Sequence, residues 1–321
     1  MSYSDKNRNL KRISRNLTPS ISKGLLIVFG VFTLLIIGIS FSLAKSLIFW
    51  FIGQIILAVN MLQWFVLLHE TGHNTLFPNR RANLVIGHIS GFFSVLPFHS
   101  WQRIHSQHHK WTGWQDLDPT TKQVVPRKLN LLEKKLMNFC WKFYLPLFSI
   151  LYRINNYWNL PRLFQLFTRN KLKVKMAFNV LIMFLLYVLL VFVLGTGVFF
   201  RLFGLSFFMH LVLSDPILIS QHTHVTQNLS GEKDVKPFYP EEQAIFTRSL
   251  IFPKWISDFI LFNFDAHEIH HMFPTVPGYL LSQLPFFSNN QINWIKWLKE
   301  SKQVPAHILL FKNRRDTGYD F

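Results

Sequence analysis

The sequence predicts an all-α integral membrane protein, with four transmembrane helices in two hairpins and a cytoplasmic cap rich in histidine. Half of the 321 residues are apolar and only 16% are charged, a composition that excludes an ordinary soluble domain. Apolar runs of the length that crosses a bilayer, about 20 residues, occur in two pairs. Most of the histidines fall in tight groups, and two of these groups lie beside the ends of such runs.

The first hairpin is expected at residues 24–68, after a basic tail at 1–23. Between Lys23 and Lys45 lie 21 uncharged residues, and 23 more separate Lys45 from His69. The first run is too long for a secretory signal peptide, and no small-residue cleavage site follows it. We therefore expect it to remain in the protein as a membrane anchor.

The second hairpin is expected at residues 176–221. The uncharged run at 176–200 is the clearest span, whereas the run at 202–221 carries His210 and Asp215. An acid inside a span usually marks a functional site or a polar partner in the helix bundle. Because Pro216 follows it, Asp215 is equally compatible with a cap at a helix break. Both interpretations stay open at this point.

The charge distribution predicts the orientation. The net charge is +18, and the basic residues gather beside the spans, with thirteen Lys and Arg at 110–175. By the positive-inside rule the tail, the segment 69–175 and the part 222–321 lie in the cytoplasm. Apolar stretches at 84–98 and 252–264 are too short to span and are expected at the membrane interface. Attraction to anionic lipid headgroups accounts for the charge, and no basic face indicates nucleic-acid binding.

Ten of the fourteen histidines form four groups, which are HETGH (His69, His73), HSQHH (His105, His108, His109), QHTH (His222, His224) and HEIHH (His267, His270, His271). In three groups the spacing is i, i+4 or i, i+3, i+4, which places the rings on one face of a helix. In QHTH the spacing is i, i+2, so we expect only one of its two rings to reach a shared point. The remaining histidines are interpreted as structural, namely His88, His99, His210 and His307.

Imidazole groups of this kind predict a metal site for iron, copper or zinc. HETGH alone matches the His-Glu-x-x-His motif of zinc proteases, with Glu70 as general base. An intramembrane zinc protease is thus one hypothesis, but it leaves seven or eight clustered histidines unexplained. A metal transporter would distribute its ligands over the membrane depth. Eight to ten nitrogens suffice for two metals, and the single Cys140 excludes a Cys-rich or Fe–S site of the chain's own.

The three boxes resemble those of the integral-membrane fatty acid desaturase superfamily, HxxxH, HxxHH and HxxHH. The resemblance is strongest to the acyl-lipid desaturases and covers roughly residues 47–285. It includes the approach to the second box, VIGHISGFFSVLPFHSWQRIHSQHH, and the third box with its trailing proline, HEIHHMFPTVP. QHTH resembles the extra histidine that these enzymes carry after the fourth span.

The resemblance implies two Fe²⁺ ions, O2 as co-substrate and a fatty acyl lipid that acquires a double bond. The implied iron ligands are His69, His73, His105, His108, His109, His222, His267, His270 and His271, with His224 as a possible additional ligand. Acids that could hold a ring N–H are Glu70, Asp116, Asp118, Asp265 and Glu268. Since no His-Pro-Gly-Gly segment of a fused cytochrome b5 domain occurs, we expect an external electron donor, of the ferredoxin or cytochrome b5 type with its reductase. Carotenoid ketolases, carotenoid hydroxylases and lipid hydroxylases share the boxes and remain alternatives.

Overall fold

The computed structural model describes residues 10–285 and 290–319, and these residues are mostly helical. Lys6 and Arg8 of the predicted basic tail lie outside the described residues. From residue 21 onward the helices are α1 (Ile21–Ser42), α2 (Leu47–His73), α3 (Arg80–Ser94), α4 (Phe98–Trp111), α5 (Leu131–Lys142), α6 (Leu147–Arg153), α7 (Leu160–Leu166), α8 (Asn170–Leu194), α9 (Thr196–His222), α10 (Lys254–Phe259), α11 (His267–Met272), α12 (Trp294–Gln303) and α13 (Ala306–Phe311). Two short strands, β1 (Ser249–Ile251) and β2 (Gln291–Asn293), pair in parallel, so the described part is not purely α-helical.

Four helices of the described residues are long and apolar enough to cross a membrane, as the sequence predicts: α1, α2, α8 and α9. The break between the last two lies at Gly195 and not near Arg201, where the sequence analysis set it. Gly195 has a φ of 74°, a conformation that a glycine adopts without the steric cost of a side chain, and it ends α8. The helix that contains the third predicted span begins at Asn170, ahead of the uncharged run that starts at residue 176.

The chain divides into two compact units. The span unit comprises residues 19–103 and 148–214, and the histidine unit comprises 1–18, 104–147 and 215–321. The first contains α1, α2 and α3, and the second contains α5, α11 and the two strands. Each is described separately below.

In the span unit, α1 and α2 approach closely because small residues line their contact. A Cβ added at Gly53 would lie 2.5 Å from the backbone nitrogen of Ser42, and one at Gly38 would lie 2.7 Å from Leu57 Cδ2. Small residues at such positions let two helix backbones come together without side chains between them. The packing therefore depends on glycine at these two positions.

A buried glutamine, Gln54 of α2, makes polar contacts with two other helices of this unit. Its amide nitrogen donates to Ser42 Oγ (2.9 Å) and to the carbonyl of Leu202 (3.1 Å). The backbone nitrogen of Ser206 donates in turn to Gln54 Oε1 at 3.0 Å. A polar group inside an apolar bundle is stable only when it is hydrogen-bonded, and Gln54 meets that condition by joining α2 to α1 and to α9.

The four histidines interpreted as structural contact other side chains of the protein. Arg153 donates to the carbonyl of Ser94 at 2.8 Å and lies 3.1 Å from His210 Nε2. The rings of His88 and His99 contact each other, with centroids 4.8 Å apart. In the histidine unit, Nδ1 of His307 lies 3.1 Å from Asn138 Oδ1.

Helix α9 runs without interruption through Pro216, so Asp215 does not cap a helix break. Its carboxylate acts instead on Lys302 of α12. Burial lowers the pKa of Lys302 to about 8, and the Asp215 charge opposes that shift. Of the two interpretations of Asp215, the structure favours a polar partner.

Helix α11, which carries the third histidine box, lies on the apolar cluster of the histidine unit. The cluster contains Leu10, Ile269, Met272, Phe273, Val276, Leu280, Leu281 and Leu284. Because Ile269 and Met272 belong to α11 itself, their burial in the cluster orients the helix. It determines which face of α11 contacts the cluster and which face points away from it.

Candidate metal centre

Helix α4 presents the second histidine box, and the nitrogens of this box meet those of the third. His109 Nε2 lies 3.1 Å from His105 Nε2 and 3.1 Å from His270 Nε2. His105, His109 and His270 each offer one nitrogen, and these atoms lie within 4.8 Å of one another. The i, i+4 spacing of His105 and His109 brings their rings together, as the helical geometry requires.

A second group is formed by the last residue of α9 and by the same two boxes. It contains His108, His222, His267 and His271, whose nitrogens lie within 4.8 Å of one another. His267 Nε2 is 2.8 Å from His222 Nε2 and 3.1 Å from His271 Nε2. Four imidazoles from three elements therefore converge on one point.

The spacing and the protonation of these nitrogens suit the binding of metal ions. Two Nε2 atoms that face each other at 2.8–3.1 Å can share at most one proton, so lone pairs accumulate at the centre of the group. Bonds of about 2.1 Å from nitrogen to a metal place neighbouring ligands roughly 3–3.5 Å apart. Burial, and then the neighbouring histidines, hold the pKa of His271 well below its ordinary value, so this ring is neutral and able to bind a cation.

The Asp118 carboxylate stands behind one of these rings. Asp118 Oδ2 accepts a hydrogen bond from His108 Nδ1 at 2.6 Å, and Asp118 is 2% exposed. The backbone nitrogen and Oγ1 of Thr120 both donate to Asp118 Oδ1 at 2.8 Å. A neutral ring that donates a hydrogen bond from Nδ1 to a carboxylate keeps its lone pair on Nε2. In His108, Nε2 is the atom that turns toward the four-histidine group.

A glutamine that the sequence analysis missed stands behind another ring. Gln243 lies in a 3₁₀ turn at Pro240–Phe246, and its amide oxygen is 3.0 Å from His271 Nδ1. Its amide nitrogen donates to the carbonyl of His109 at 2.8 Å. Gln243 precedes His271 by 28 positions and belongs to no recognisable motif, so only the tertiary contact identifies it.

The other acids named in the sequence analysis have different surroundings. Asp116 binds the backbone nitrogen and Oγ of Ser230 and no histidine. Burial would raise the pKa of Asp116, but the hydrogen bonds from Ser230 outweigh it and hold the pKa below its usual value. Asp265 accepts from Ser257 Oγ at 2.5 Å, and burial raises its pKa to about 6. Burial raises the pKa of Glu268 to about 7, and its backbone nitrogen donates to Ser249 Oγ.

The first box lies at the end of α2, in the span unit. The rings of His69 and His73 are 4.8 Å apart, and the His69 ring packs edge-on against Trp101. Glu70 is 4% exposed, which rules out a solvated side chain. One of its oxygens lies 3.3 Å from His69 Nδ1 and the other accepts from Thr75 Oγ1 at 2.8 Å.

The two histidines of QHTH have different surroundings. His222 joins the four-histidine group, whereas His224 lies outside both groups that the described residues form. His224 has a φ of 53°, and its Nε2 is 2.6 Å from Thr317 Oγ1. The guanidinium of Arg248 donates to the carbonyls of Ser220, Thr223 and His224, and thereby holds the end of α9 on both sides of His222.

Comparisons with known proteins agree with this geometry. Three similar proteins are the "Omega-3 fatty acid desaturase, chloroplastic" of Sesamum indicum (25% identical), and, from Arabidopsis thaliana, the "sn-2 acyl-lipid omega-3 desaturase (ferredoxin), chloroplastic" (25%) and the "Acyl-lipid omega-3 desaturase (cytochrome b5), endoplasmic reticulum" (23%). The matches cover 76%, 79% and 81% of this chain. The chain spans 56% and 59% of the first two relatives and 70% of the third.

The family model described as "Fatty acid desaturase" matches residues 44–285, which include all four histidine groups. The match covers most of the chain, and it agrees with the resemblance that the three boxes indicate. Together with four helices able to span a bilayer, it identifies an integral membrane protein. The chain belongs to the fatty acid desaturase family.

Proposed function

We propose that this protein is an acyl-lipid desaturase, which introduces a double bond into the fatty acyl chain of a membrane lipid at the expense of O2. The observation that carries the proposal is the convergence of ring nitrogens in the histidine unit, in a chain of this family. Similar proteins are named acyl-lipid desaturases, which supports the same substrate class here.

The proposed metals are two Fe²⁺ ions. His108, His222, His267 and His271 would hold one ion, and His105, His109 and His270 would contribute to the other. His69 and His73 of the first box are proposed as further iron ligands. Bound iron would supply the oxidant for hydrogen removal from an unactivated methylene, which no side chain can supply. Imidazole suits iron, and the two groups contain no carboxylate, so neutral donors would hold the cation.

The protein's own residues keep these donors in place. Asp118 accepts a hydrogen bond from Nδ1 of His108, and the amide oxygen of Gln243 lies at Nδ1 of His271. Both rings can therefore offer Nε2 to a metal ion. We propose His222 and not His224 as the ligand from QHTH, because the His224 ring is bonded to Thr317. Glu70 and Thr75 would orient His69 in the same manner.

The electrons would come from a separate carrier. Names of similar proteins mention ferredoxin in one case and cytochrome b5 in another, and we propose a donor of one of these types, with its reductase. We further propose the topology that the basic residues indicate, with two helical hairpins in the membrane and with the tail and the histidine boxes on the cytoplasmic side. The acyl chain would then lie in an apolar environment among the spans.

The zinc protease hypothesis is less well supported. It requires Glu70 as a general base toward a water molecule, but Glu70 is engaged by His69 and Thr75 and is almost fully buried. It also gives no role to the four-histidine group of the other unit. The ketolase and hydroxylase alternatives use the same histidines, so product analysis has to separate them from desaturation.

The decisive experiment is gas chromatography with mass spectrometry of total fatty acids from a heterologous host that supplies a working electron donor. The wild-type protein should produce a new unsaturated acid, and His105→Ala should produce none while it still accumulates in the membrane. His307→Ala, at a histidine outside both groups, is the matched control and should retain the product. Formation of a hydroxylated acid or an oxidised carotenoid in place of the unsaturated acid would contradict the proposed substrate chemistry.

A further inference from the structure

The side chain of Gln243 touches two histidine boxes at once. It is 2% exposed, so its amide has no access to solvent. The amide nitrogen donates to the carbonyl of His109, in the second box, at 2.8 Å, and to the carbonyl of Phe238 at 3.3 Å. The amide oxygen lies 3.0 Å from Nδ1 of His271, in the third box.

The orientation of this amide follows from its neighbours. The carbonyls of His109 and Phe238 can only accept hydrogen bonds, so the NH2 group must face them. The amide oxygen is then left for His271, and since an oxygen of this kind can only accept, the proton must lie on His271 Nδ1. The neutral His271 ring consequently carries its lone pair on Nε2, which lies 3.1 Å from His267 Nε2.

We propose that Gln243 is a positioning residue of the metal centre, which selects the Nδ1–H form of His271 and aims its Nε2 at the metal held with His108, His222 and His267. The inference rests on the proposed function only for the presence of a metal ion. Through the His109 carbonyl the same side chain ties the second box to the third, so that one glutamine acts on residues of both histidine groups.

Two rings of the four-histidine group, those of His108 and His271, have different hydrogen-bond partners at Nδ1. His108 donates a hydrogen bond from Nδ1 to a carboxylate, that of Asp118, whereas His271 donates one from Nδ1 to the neutral amide of Gln243. A carboxylate partner makes an imidazole a more basic ligand than an amide partner does. His108 and His271 are therefore unequal donors to the same metal, and replacement of Gln243 by glutamate should make them more alike.

Three variants test the inference in the full-length protein purified in detergent. Gln243→Met keeps the volume but removes both hydrogen bonds. Gln243→Glu loses the donor to the His109 carbonyl but keeps an acceptor for His271, as Asp118 does for His108. Gln115→Met is the matched control, because Gln115 is also buried and its amide nitrogen donates to the carbonyl of Val124, which belongs to no histidine box.

The readouts are Fe²⁺ affinity in competition with a chelator, the ligand-field spectrum of the Co²⁺-substituted protein, and the melting temperature of the metal-free protein. Gln243→Met should lower the Fe²⁺ affinity by roughly 10- to 100-fold and alter the Co²⁺ spectrum. Gln243→Glu should restore most of the affinity, and Gln115→Met should match the wild type. The metal-free melting temperatures show how much of each change is a loss of folding stability, since both Gln243 variants lack the hydrogen bond to the His109 carbonyl and only Gln243→Met also lacks the one with His271.

Two results would overturn the inference. One is a wild-type Fe²⁺ affinity in Gln243→Met, and the other is an equal loss in Gln243→Glu and Gln243→Met that follows a loss of metal-free stability. Both are measured without substrate, O2 or an electron donor. A wild-type protein that binds iron but yields no unsaturated acid would contradict the proposed function and leave the role of Gln243 intact.

Discussion

At the scale of single residues, the proposed metal centre depends on the groups behind the imidazole rings as well as on the rings. Asp118 and Gln243 are both buried, and each engages the Nδ1 atom of a different ring. The lone pairs of His108 and His271 are thereby directed to the Nε2 atoms that converge. Partners of this kind influence metal affinity without touching the metal.

Replacement of Asp118 should therefore weaken metal binding. Asp118→Leu removes the acceptor for His108 Nδ1 and the acceptor for both donors of Thr120, and should lower Fe²⁺ affinity by roughly 10- to 100-fold. Iron content after dialysis against a graded series of chelators measures the change. Asp116→Leu is the control, because Asp116 lies two positions away and binds Ser230; equal losses in both variants would contradict a specific role for Asp118.

Lys302 gives the molecule a predictable dependence on pH. Burial lowers the pKa of its ammonium group from 10.5 to about 8 in the folded protein. Between these two values the unfolded chain binds more protons than the folded chain, so the free energy of unfolding should increase as the pH rises from about 8 to about 10.5. Lys302→Met should abolish this contribution, and its melting temperature should fall behind that of the wild type as the pH increases.

The measurement is a series of thermal melts in detergent from pH 7 to 10.5 for wild type, Lys302→Met and Lys299→Met. Lys299 is exposed on the same helix and serves as the control. If the wild-type and Lys302→Met melting temperatures run parallel over the whole range, the perturbed pKa of Lys302 is refuted.

At the scale of helices, several of the grouped histidines lie at helix ends. Box one ends α2, His222 ends α9, and His267 begins α11. Helix ends leave backbone groups without intrahelical partners, and local contacts must satisfy them. Arg248 does so for α9, which explains why a buried guanidinium lies beside His222 without belonging to the ligand set.

The contact between α1 and α2 should be sensitive to a single methyl group. Gly53→Ala places a Cβ 2.5 Å from the backbone nitrogen of Ser42, so the helices must separate, at a cost of about 1–3 kcal/mol. The expected result is a lower melting temperature in detergent. Gly30→Ala on α1 is the control, since nothing lies within 4 Å of its added Cβ, and it should not lower the melting temperature. Equal melting temperatures for the two variants would contradict the close contact.

At the scale of the whole molecule, seven of the nine proposed ligands belong to the histidine unit and two to the span unit. Metal binding should therefore contribute to the stability of the folded chain, because the unfolded chain cannot keep these nitrogens together. A metal present at 100 times its dissociation constant stabilises a protein by about 2.7 kcal/mol.

Removal of iron is the corresponding test. The purified protein should contain about two iron ions per chain, and chelation should lower its melting temperature and abolish desaturation. Readdition of Fe²⁺ should restore both properties. After dialysis against the same chelator, His222→Ala should retain about one iron per chain, and His88→Ala should retain about two. A stoichiometry of one in the wild type would contradict the proposed pair of ions.

The sequence by itself determined the four apolar helices and the spacing of the histidine boxes. Both depend on local information: a run of about 20 uncharged residues suffices for a span, and an i, i+4 interval suffices to align two rings on a helix. The separation of His222 and His224 was expected from helical spacing, but α9 ends at His222 and His224 has a positive φ, so the path of the chain beyond the helix separates the two rings. The helix boundary at Gly195 was missed because a glycine with positive φ cannot be told from any other glycine in an apolar run.

Only the tertiary structure decided which side chains support the rings. Asp116 and Asp118 are two positions apart and chemically identical, yet one binds Ser230 and the other His108. Gln243 is assigned to His271 by a contact across 28 positions, and His224 to Thr317 by one across 93. Such contacts depend on the paths of the connecting loops, which no periodicity of the sequence encodes. The proposed metal ligands could therefore be recognised from their spacing, whereas the residues proposed to orient them required the folded chain.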